Sequence, residues 1–175
     1  MSLISFILLG VSSAWAVEKP MEPVAVIINN AKGEQVGDLI LTQQKNGVRV
    51  HINLINLPPG IYAAHFHEKG VCQGPDFKSA GDHFNPDKKK HGFDVRGGPH
   101  AGDLKNIEVL PEGKGQLEAT NPMVTLEEGP NSLLKTGGTA IIIHEKGDDY
   151  KSQPAGASGK RIACGEIKTP DRTKK

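Results

Sequence analysis

Aromatic side chains are scarce in this 175-residue chain, at 5%, and cysteine is limited to 2. Charge of either sign is hardly in excess: 21 Lys+Arg stand against 20 Asp+Glu, a formal net charge of +1. That balance excludes a polyanion-binding protein, which needs a clear basic surplus on some face to neutralise phosphates. It also argues against a disordered acidic tail. Long hydrophobic runs are missing too. The nearest approach is residues 3–11, followed by Ser12-Ser13-Ala14-Trp15-Ala16, in a leader with no charged side chain. A membrane-spanning helix needs about 20 apolar residues and this run is roughly half that. Residues 1–16 therefore read as an export signal cleaved after Ala16, leaving one domain at 17–175. The alternatives are a buried hydrophobic helix or a retained anchor, since the leader lacks the usual Lys or Arg near its start. With no cysteine in the leader, a lipoprotein anchor is excluded. Export makes Cys72 and Cys164 most simply a disulfide. Neither has a CxxC partner, which argues against metal held by sulfur.

What the chain has in abundance is Gly 21 and Pro 12, about a fifth of all residues, and His 7. So much Gly and Pro implies many turns. Between the turns the pattern has period two: in residues 48–54 the even positions are apolar and the odd ones polar, as in a half-buried strand. Asn46-Gly47 marks a hairpin after residues 39–42. Further strands are expected at 24–29, 61–67, 106–110, 116–120, 123–126, 139–144 and 161–167. No segment sustains a 3.6-residue period, so the class is all-β, an antiparallel sandwich or barrel of eight or nine short strands. Residues 68–103 and 145–160 fit neither period. Irregular stretches of that length need something functional to order them.

The histidines supply an organiser. His65 and His67, two apart on a strand, project from one face while Phe66 points into the core. His83, His91, His100 and Asp103 lie in the first long loop, and three imidazoles with one carboxylate form a full tetrahedral set for Zn²⁺. Such a site can order a segment that has no core of its own. His65, His67 and His144 offer three nitrogens for a second ion. Imidazole-rich sites suit Cu, Zn, Fe or Ni, and the Irving–Williams order favours Cu²⁺ where copper is available. His51, beside Arg49 and Asn53 on a polar face, reads as a surface residue. A metal-dependent barrel of the cupin type also carries HxH on a strand, but it has no use for the set from His83 to Asp103.

The segments His65-Phe66-His67, Ala80-Gly81-Asp82-His83-Phe84-Asn85-Pro86, His91-Gly92, His100-Ala101-Gly102-Asp103-Leu104, His144-Glu145-Lys146-Gly147-Asp148-Asp149-Tyr150 and Gly159-Lys160-Arg161-Ile162-Ala163-Cys164-Gly165 closely resemble copper–zinc superoxide dismutase of the bacterial exported type. The likeness runs in order along nearly all of 17–175. It implies a Greek-key antiparallel β-sandwich or barrel, immunoglobulin-like, of about eight strands with two long functional loops. It implies dismutation of superoxide to oxygen and hydrogen peroxide by a redox-cycling copper bridged through a histidine to a structural zinc. By this resemblance one Cu per subunit is bound by His65, His67, His83 and His144, and one Zn by His83, His91, His100 and Asp103, with the His83 ring shared. Asp148 is the carboxylate joining a copper histidine to a zinc histidine. Arg161 and His83 are the catalytic residues, Arg161 attracting the anion, with Lys151 and Lys160 as candidate helpers. Cys72 and Cys164 tie the long loop to the strand carrying Arg161.

The implied partner is superoxide, with no nucleic acid and no membrane span after signal cleavage. The resemblance leaves both a monomer and a homodimer open. The implied location is the periplasm, the cell envelope or the outside of the cell. The alternative is a non-catalytic relative of the same fold that binds or delivers copper. Two places depart from the family pattern: Tyr62-Ala63-Ala64 stands where many members have His-Gly-Phe, which puts the packing beside the copper strand in question, and Ala157 replaces a more usual polar residue or glycine.

Overall fold

A period-two pattern puts every second side chain on one face of a strand, and β3 (Gly47–Leu54) shows it plainly. Val48, Val50, Ile52 and Leu54 are buried, while Arg49, His51 and Asn53 turn away from the core. The computed structural model describes residues 21–169; the expected export segment, 1–16, lies outside them. The remaining strands are β1 (Val24–Asn30), β2 (Gln35–Gln44), β4 (Gly60–Tyr62), β5 (Ala64–His67), β6 (Ile107–Val109), β7 (Gly115–Asn121), β8 (Thr139–His144) and β9 (Arg161–Ile167). All pair antiparallel, in the order β4-β6-β7-β3-β2-β1-β9-β8-β5.

β4 and β5 are one continuous stretch of chain, yet they lie at opposite ends of that order. The stretch pairs with β6 through residues 60–62 and with β8 through residues 64–67. Between them Ala63 donates to Lys146 O and accepts from His144 N, both at 2.9 Å. The sheet is thereby closed into a barrel, and counting the split strand once gives the expected eight. β3 reaches β4 past β6 and β7, and β7 reaches β8 past β3, β2, β1 and β9, which are the crossovers of a Greek key.

Ile28, Leu39, Leu41, Ile52, Leu54, Phe66, Ile107, Ile141 and Ile143 fill the barrel. β8 is buried at every position. Its inward residues Ile141 and Ile143 join the main core. Its outward residues Ala140 and Ile142 pack with Phe77, Ala80, Cys164 and the partly buried Cys72. The start of the first long loop thus has a small apolar cluster of its own, which the period-based reading missed. That second cover explains why residues 140–143 of β8 are apolar without a break, where β3 alternates.

Two local expectations are corrected. The hairpin turn is Lys45-Asn46, because Gly47 is already paired opposite Gln44. Neither Lys45 nor Asn46 has positive φ, so the turn is not the expected mirror-image type. Gly47 holds φ 128°, and a Cβ there would run into the carbonyl of Asn121 on β7, so only glycine fits. Residues 123–126 form no strand. Thr125 makes a single backbone bridge to Ser132, and Gln43 Oε1 accepts from Leu126 N at 2.7 Å and from Thr125 Oγ1 at 3.0 Å, so no ladder extends along the segment. Val124 and Leu126 are nonetheless buried, which is why their spacing looked like a strand.

Candidate metal centre

β5 supplies His65 and His67 on one face, and β8 ends at His144 beside them. The first long loop returns His83 to the free edge of β5, where it bridges to His67. Phe66, fully buried, accepts from Phe84 N at 2.8 Å and donates to Gly102 O at 2.8 Å. The backbone of the HxH strand therefore pins two further parts of the loop. All the histidines expected at the metal site are buried. His51 is not at the site; it stands half-buried on the outward face of β3, with Nδ1 3.6 Å from Glu118 Oε2.

The rings of His65, His67, His83 and His144 crowd together, with centroids 4.1 Å apart for His65 and His83 and 4.9 Å for His65 and His144. Each offers a ligand atom, and these lie within 4.8 Å of one another. His65 Nδ1, His67 Nε2, His83 Nε2 and His144 Nε2 are buried with no hydrogen-bond partner. Stripping an imidazole nitrogen of water without replacement costs roughly 1–3 kcal/mol. Four such atoms converging on one point are the chemistry of a cation site. The opposite nitrogens of three rings are engaged: His67 Nδ1 meets Gly81 O at 2.9 Å, His144 Nδ1 meets Ser158 Oγ at 3.1 Å, and His65 Nε2 meets Asp148 Oδ2 at 2.8 Å. Those contacts fix which way each ring faces.

A second set lies behind His83. Its Nδ1 is 3.0 Å from Asp103 Oδ1 and 3.4 Å from His100 Nδ1. His91 Nδ1 lies 3.0 Å from the same carboxylate oxygen and His100 Nδ1 3.4 Å from it. A tetrahedral zinc with bonds of about 2.0–2.1 Å spaces its donors about 3.3 Å apart. These spacings fit. His65 also falls within 4.8 Å of His83, His91 and Asp103, but its Nε2 is taken by Asp148, so His100 is the better fourth donor. Asp103 is held in place through Oδ2, which accepts from Gly92 N at 2.9 Å and His100 N at 3.0 Å.

Asp148 links the sets, with Oδ2 on His65 and Oδ1 3.0 Å from His91 Nε2. Asn106 clamps its backbone from both sides, at 2.8 and 2.9 Å. Gly156, at φ 67°, backs the same carboxylate so closely that a Cβ would collide with Asp148 Oδ1. Asn106 and Ser158 lay outside the sequence reading, because a loop amide or hydroxyl carries no periodic signal.

Charge is divided sharply among these groups. Burial pushes His83 down to about 4 and His144 to about 3, and pushes His65 and His67 down as well. His91 is raised to about 9: burial opposes its charge, but Asp103 and Asp148 outweigh it. Burial disfavours ionised Asp103 and Asp148, yet the imidazoles around them hold both well below the usual carboxylate range.

Arg161 opens β9 and reaches across the mouth of the first set. Its Nη1 donates to Phe77 O at 2.9 Å and its Nη2 to Gly81 O at 2.8 Å. Gly81 O is also the partner of His67, so one carbonyl orients both the guanidinium and a ring of the site. Three residues along β9, Cys164 is disulfide-bonded to Cys72, with Cα atoms 5.7 Å apart. That bond anchors the loop whose carbonyls hold Arg161. The mouth is lined by His67, His83, His144, Arg161, Lys135 and Pro154, among others, with Glu68 and Asp82 as its acidic members. Lys151 and Lys160 are exposed and stand outside this lining, whereas Lys135, from the turn before β8, is part of it. Tyr62, Ala63 and Ala64 are all buried, and Tyr62 OH donates to Pro58 O at 2.8 Å, so the departure from the family pattern is absorbed locally. Ala157 is an exposed residue at φ 52°.

A family model described as copper/zinc superoxide dismutase matches residues 35–167. The copper–zinc superoxide dismutase 1 of Aquifex aeolicus is 48% identical over 163 residues, covering 92% of this chain and 96% of that protein. A superoxide dismutase-like protein from Bacillus subtilis has a solved structure with a TM-score of 0.78 and 40% identity, covering 82% of this chain and 97% of that one. The Cu/Zn superoxide dismutase from Brucella abortus gives a TM-score of 0.66 at 26% identity, covering 83% and 99%. With two adjoining histidine-rich donor sets inside a closed antiparallel barrel, and with these likenesses spanning most of the chain, the protein belongs to the copper–zinc superoxide dismutase family, enzymes that use copper and zinc to convert superoxide into oxygen and hydrogen peroxide.

Proposed function

We propose that His65 through Nδ1, and His67, His83 and His144 through Nε2, hold one copper per subunit, and that His83 through Nδ1, with His91, His100 and Asp103, holds one zinc. The observation that carries this is the four buried nitrogens without partners, with His83 offering its remaining nitrogen to the second set. When bound, copper supplies one-electron redox chemistry, and zinc, which has no redox role, holds the shared ring. The overall reaction consumes two superoxide anions and two protons and yields one oxygen and one hydrogen peroxide.

The chain's own part is to draw in the anion, orient the donors and manage a proton. Arg161 attracts superoxide to the open face of the site; superoxide dismutases are a known case of such steering. His83 can carry a proton on Nε2 while Nδ1 stays with the second set, and can pass it to the reduced substrate. Asp148 keeps His65 and His91 in the tautomers that leave their donor atoms free.

The rival reading is a relative that binds or delivers copper without turnover. Arg161, anchored at both nitrogens on the rim of the mouth, favours turnover, because copper storage has no use for an anion guide. Metal analysis combined with a superoxide-decay assay separates them. We expect one copper and one zinc per chain and accelerated decay. Copper uptake without faster decay would favour delivery.

Export is part of the proposal: residues 1–16 act as a cleaved signal, 17–175 form the mature chain, and the enzyme works in the periplasm, the cell envelope or outside the cell. The disulfide supports an oxidising location. N-terminal sequencing of the protein from its native cells should begin at Val17. An N-terminus still carrying Met1 would refute cleavage.

A further inference from the structure

The two long loops meet along a seam that the metal donors alone do not explain. Gln153 turns its side-chain amide onto the backbone of His91 in the other loop. Its Oε1 accepts from His91 N at 2.9 Å, and its Nε2 donates to His91 O at 2.9 Å. Nε2 also donates to Lys151 O at 3.0 Å, which fixes the amide from its own side. A two-point contact sets both the position and the tilt of a residue, as a neighbouring strand would. His91 is the ring that faces Asp103 with one nitrogen and Asp148 with the other. The next two residues along the chain, Pro154 and Ala155, line the mouth together with Arg161. Three consecutive residues thus join the backbone of one donor to the wall of the substrate cleft.

We propose that Gln153 is a positioning residue that holds His91 in its zinc-binding geometry and, reciprocally, that a filled zinc site holds the wall formed by residues 154–155. The proposal rests on the zinc assignment made above. Gln153 contributes no metal donor atom, so its effect passes through the His91 backbone. Thermodynamic linkage requires the two effects to be mutual: what zinc gains from the clamp, the wall gains from zinc.

The test uses the full chain stripped of metal, as wild type, Gln153→Ala and Gln153→Met. Methionine keeps the side-chain bulk and removes all three amide bonds, so a folded variant is retained if alanine disturbs the loop. Each is titrated with zinc against a chromogenic chelator, and with copper separately, while circular dichroism monitors the fold. Zinc affinity should fall about tenfold, the lower end of the loss seen when a group supporting a ligand is removed, with copper affinity held. At saturating zinc, trypsin should cut after Lys151 faster in Gln153→Met than in wild type. Unchanged zinc affinity, an equal loss for copper, or wild-type resistance to trypsin overturns the proposal. Wild-type zinc uptake that survives His100→Ala intact would instead refute the zinc assignment itself.

Discussion

His91 and His83 lie in the same cluster, against the same carboxylate, yet differ in charge. Two carboxylates meet His91, whereas His83 has only Asp103 and is crowded by the rings of His65, His67, His91 and His100. At pH 7 the metal-free protein therefore holds a proton on His91, while His83 and His144 are neutral. Zinc binding at pH 7 should release about one proton, since a ligand nitrogen must be free to bind metal. Titration calorimetry in buffers of different ionisation enthalpy reads this directly, and zinc uptake with no proton release would contradict the charge assignment.

The same residues set the acid sensitivity of the metal-free fold. Below the ordinary histidine value of 6.5 the unfolded chain takes up protons that folded His83 and His144 refuse. Stability should then fall as pH drops from 6.5 toward 4 and 3. His91 acts oppositely: its contribution is complete below 6.5 and is lost as pH rises through about 9. Denaturant unfolding across pH would show both limbs.

Arg161 yields a prediction of another kind. Arg161→Ala should keep the fold and both metals but lose roughly tenfold or more in rate at low salt, with a weaker dependence on ionic strength. A wild-type rate insensitive to salt would remove steering from the mechanism. At this scale the two-residue spacing of His65 and His67 made their shared face readable from strand geometry. The clustering of histidines near Asp103 pointed to zinc. Gly81 O, which orients both His67 and Arg161, left no trace in the sequence, because a backbone carbonyl belongs to every residue alike.

Among the elements, β8 shows best how packing limited what could be read. Its apolar run was legible as a strand, but its second buried face depends on Phe77 and Ala80, which approach only once the loop folds back. Residues 123–126 failed in the opposite direction: Val124 and Leu126 have the spacing of a strand, yet the Gln43 side chain accepts from Leu126 N and Thr125 Oγ1 where a ladder would run. The disulfide spans a separation of 92 residues and fastens that returning loop to β9. Cys164→Ser should lower stability by about 2–4 kcal/mol in denaturant unfolding. It should also reduce activity severalfold while copper stays bound, because the Phe77 and Gly81 carbonyls that hold Arg161 lose their anchor. Full activity in the reduced, folded variant would show that Arg161 needs no such support.

For the molecule as a whole, alternation and turn residues were enough to indicate an antiparallel sandwich or barrel. Closure was not legible, since it depends on Ala63 passing one strand from β6 to β8. The irregular loops were readable only as segments needing an organiser. Their order comes from the donor sets, the Asp148 link, the small apolar cluster and the disulfide together. No helix among the described residues is long and apolar enough to cross a membrane.

The central claim is that one ring, His83, serves both sets. It is tested most directly by superoxide decay at matched copper content in wild type and His83→Ala. The shared ring predicts that the variant remains folded, binds zinc more weakly and loses most of its activity. A copper-loaded His83→Ala protein that consumes superoxide at the wild-type rate would contradict it.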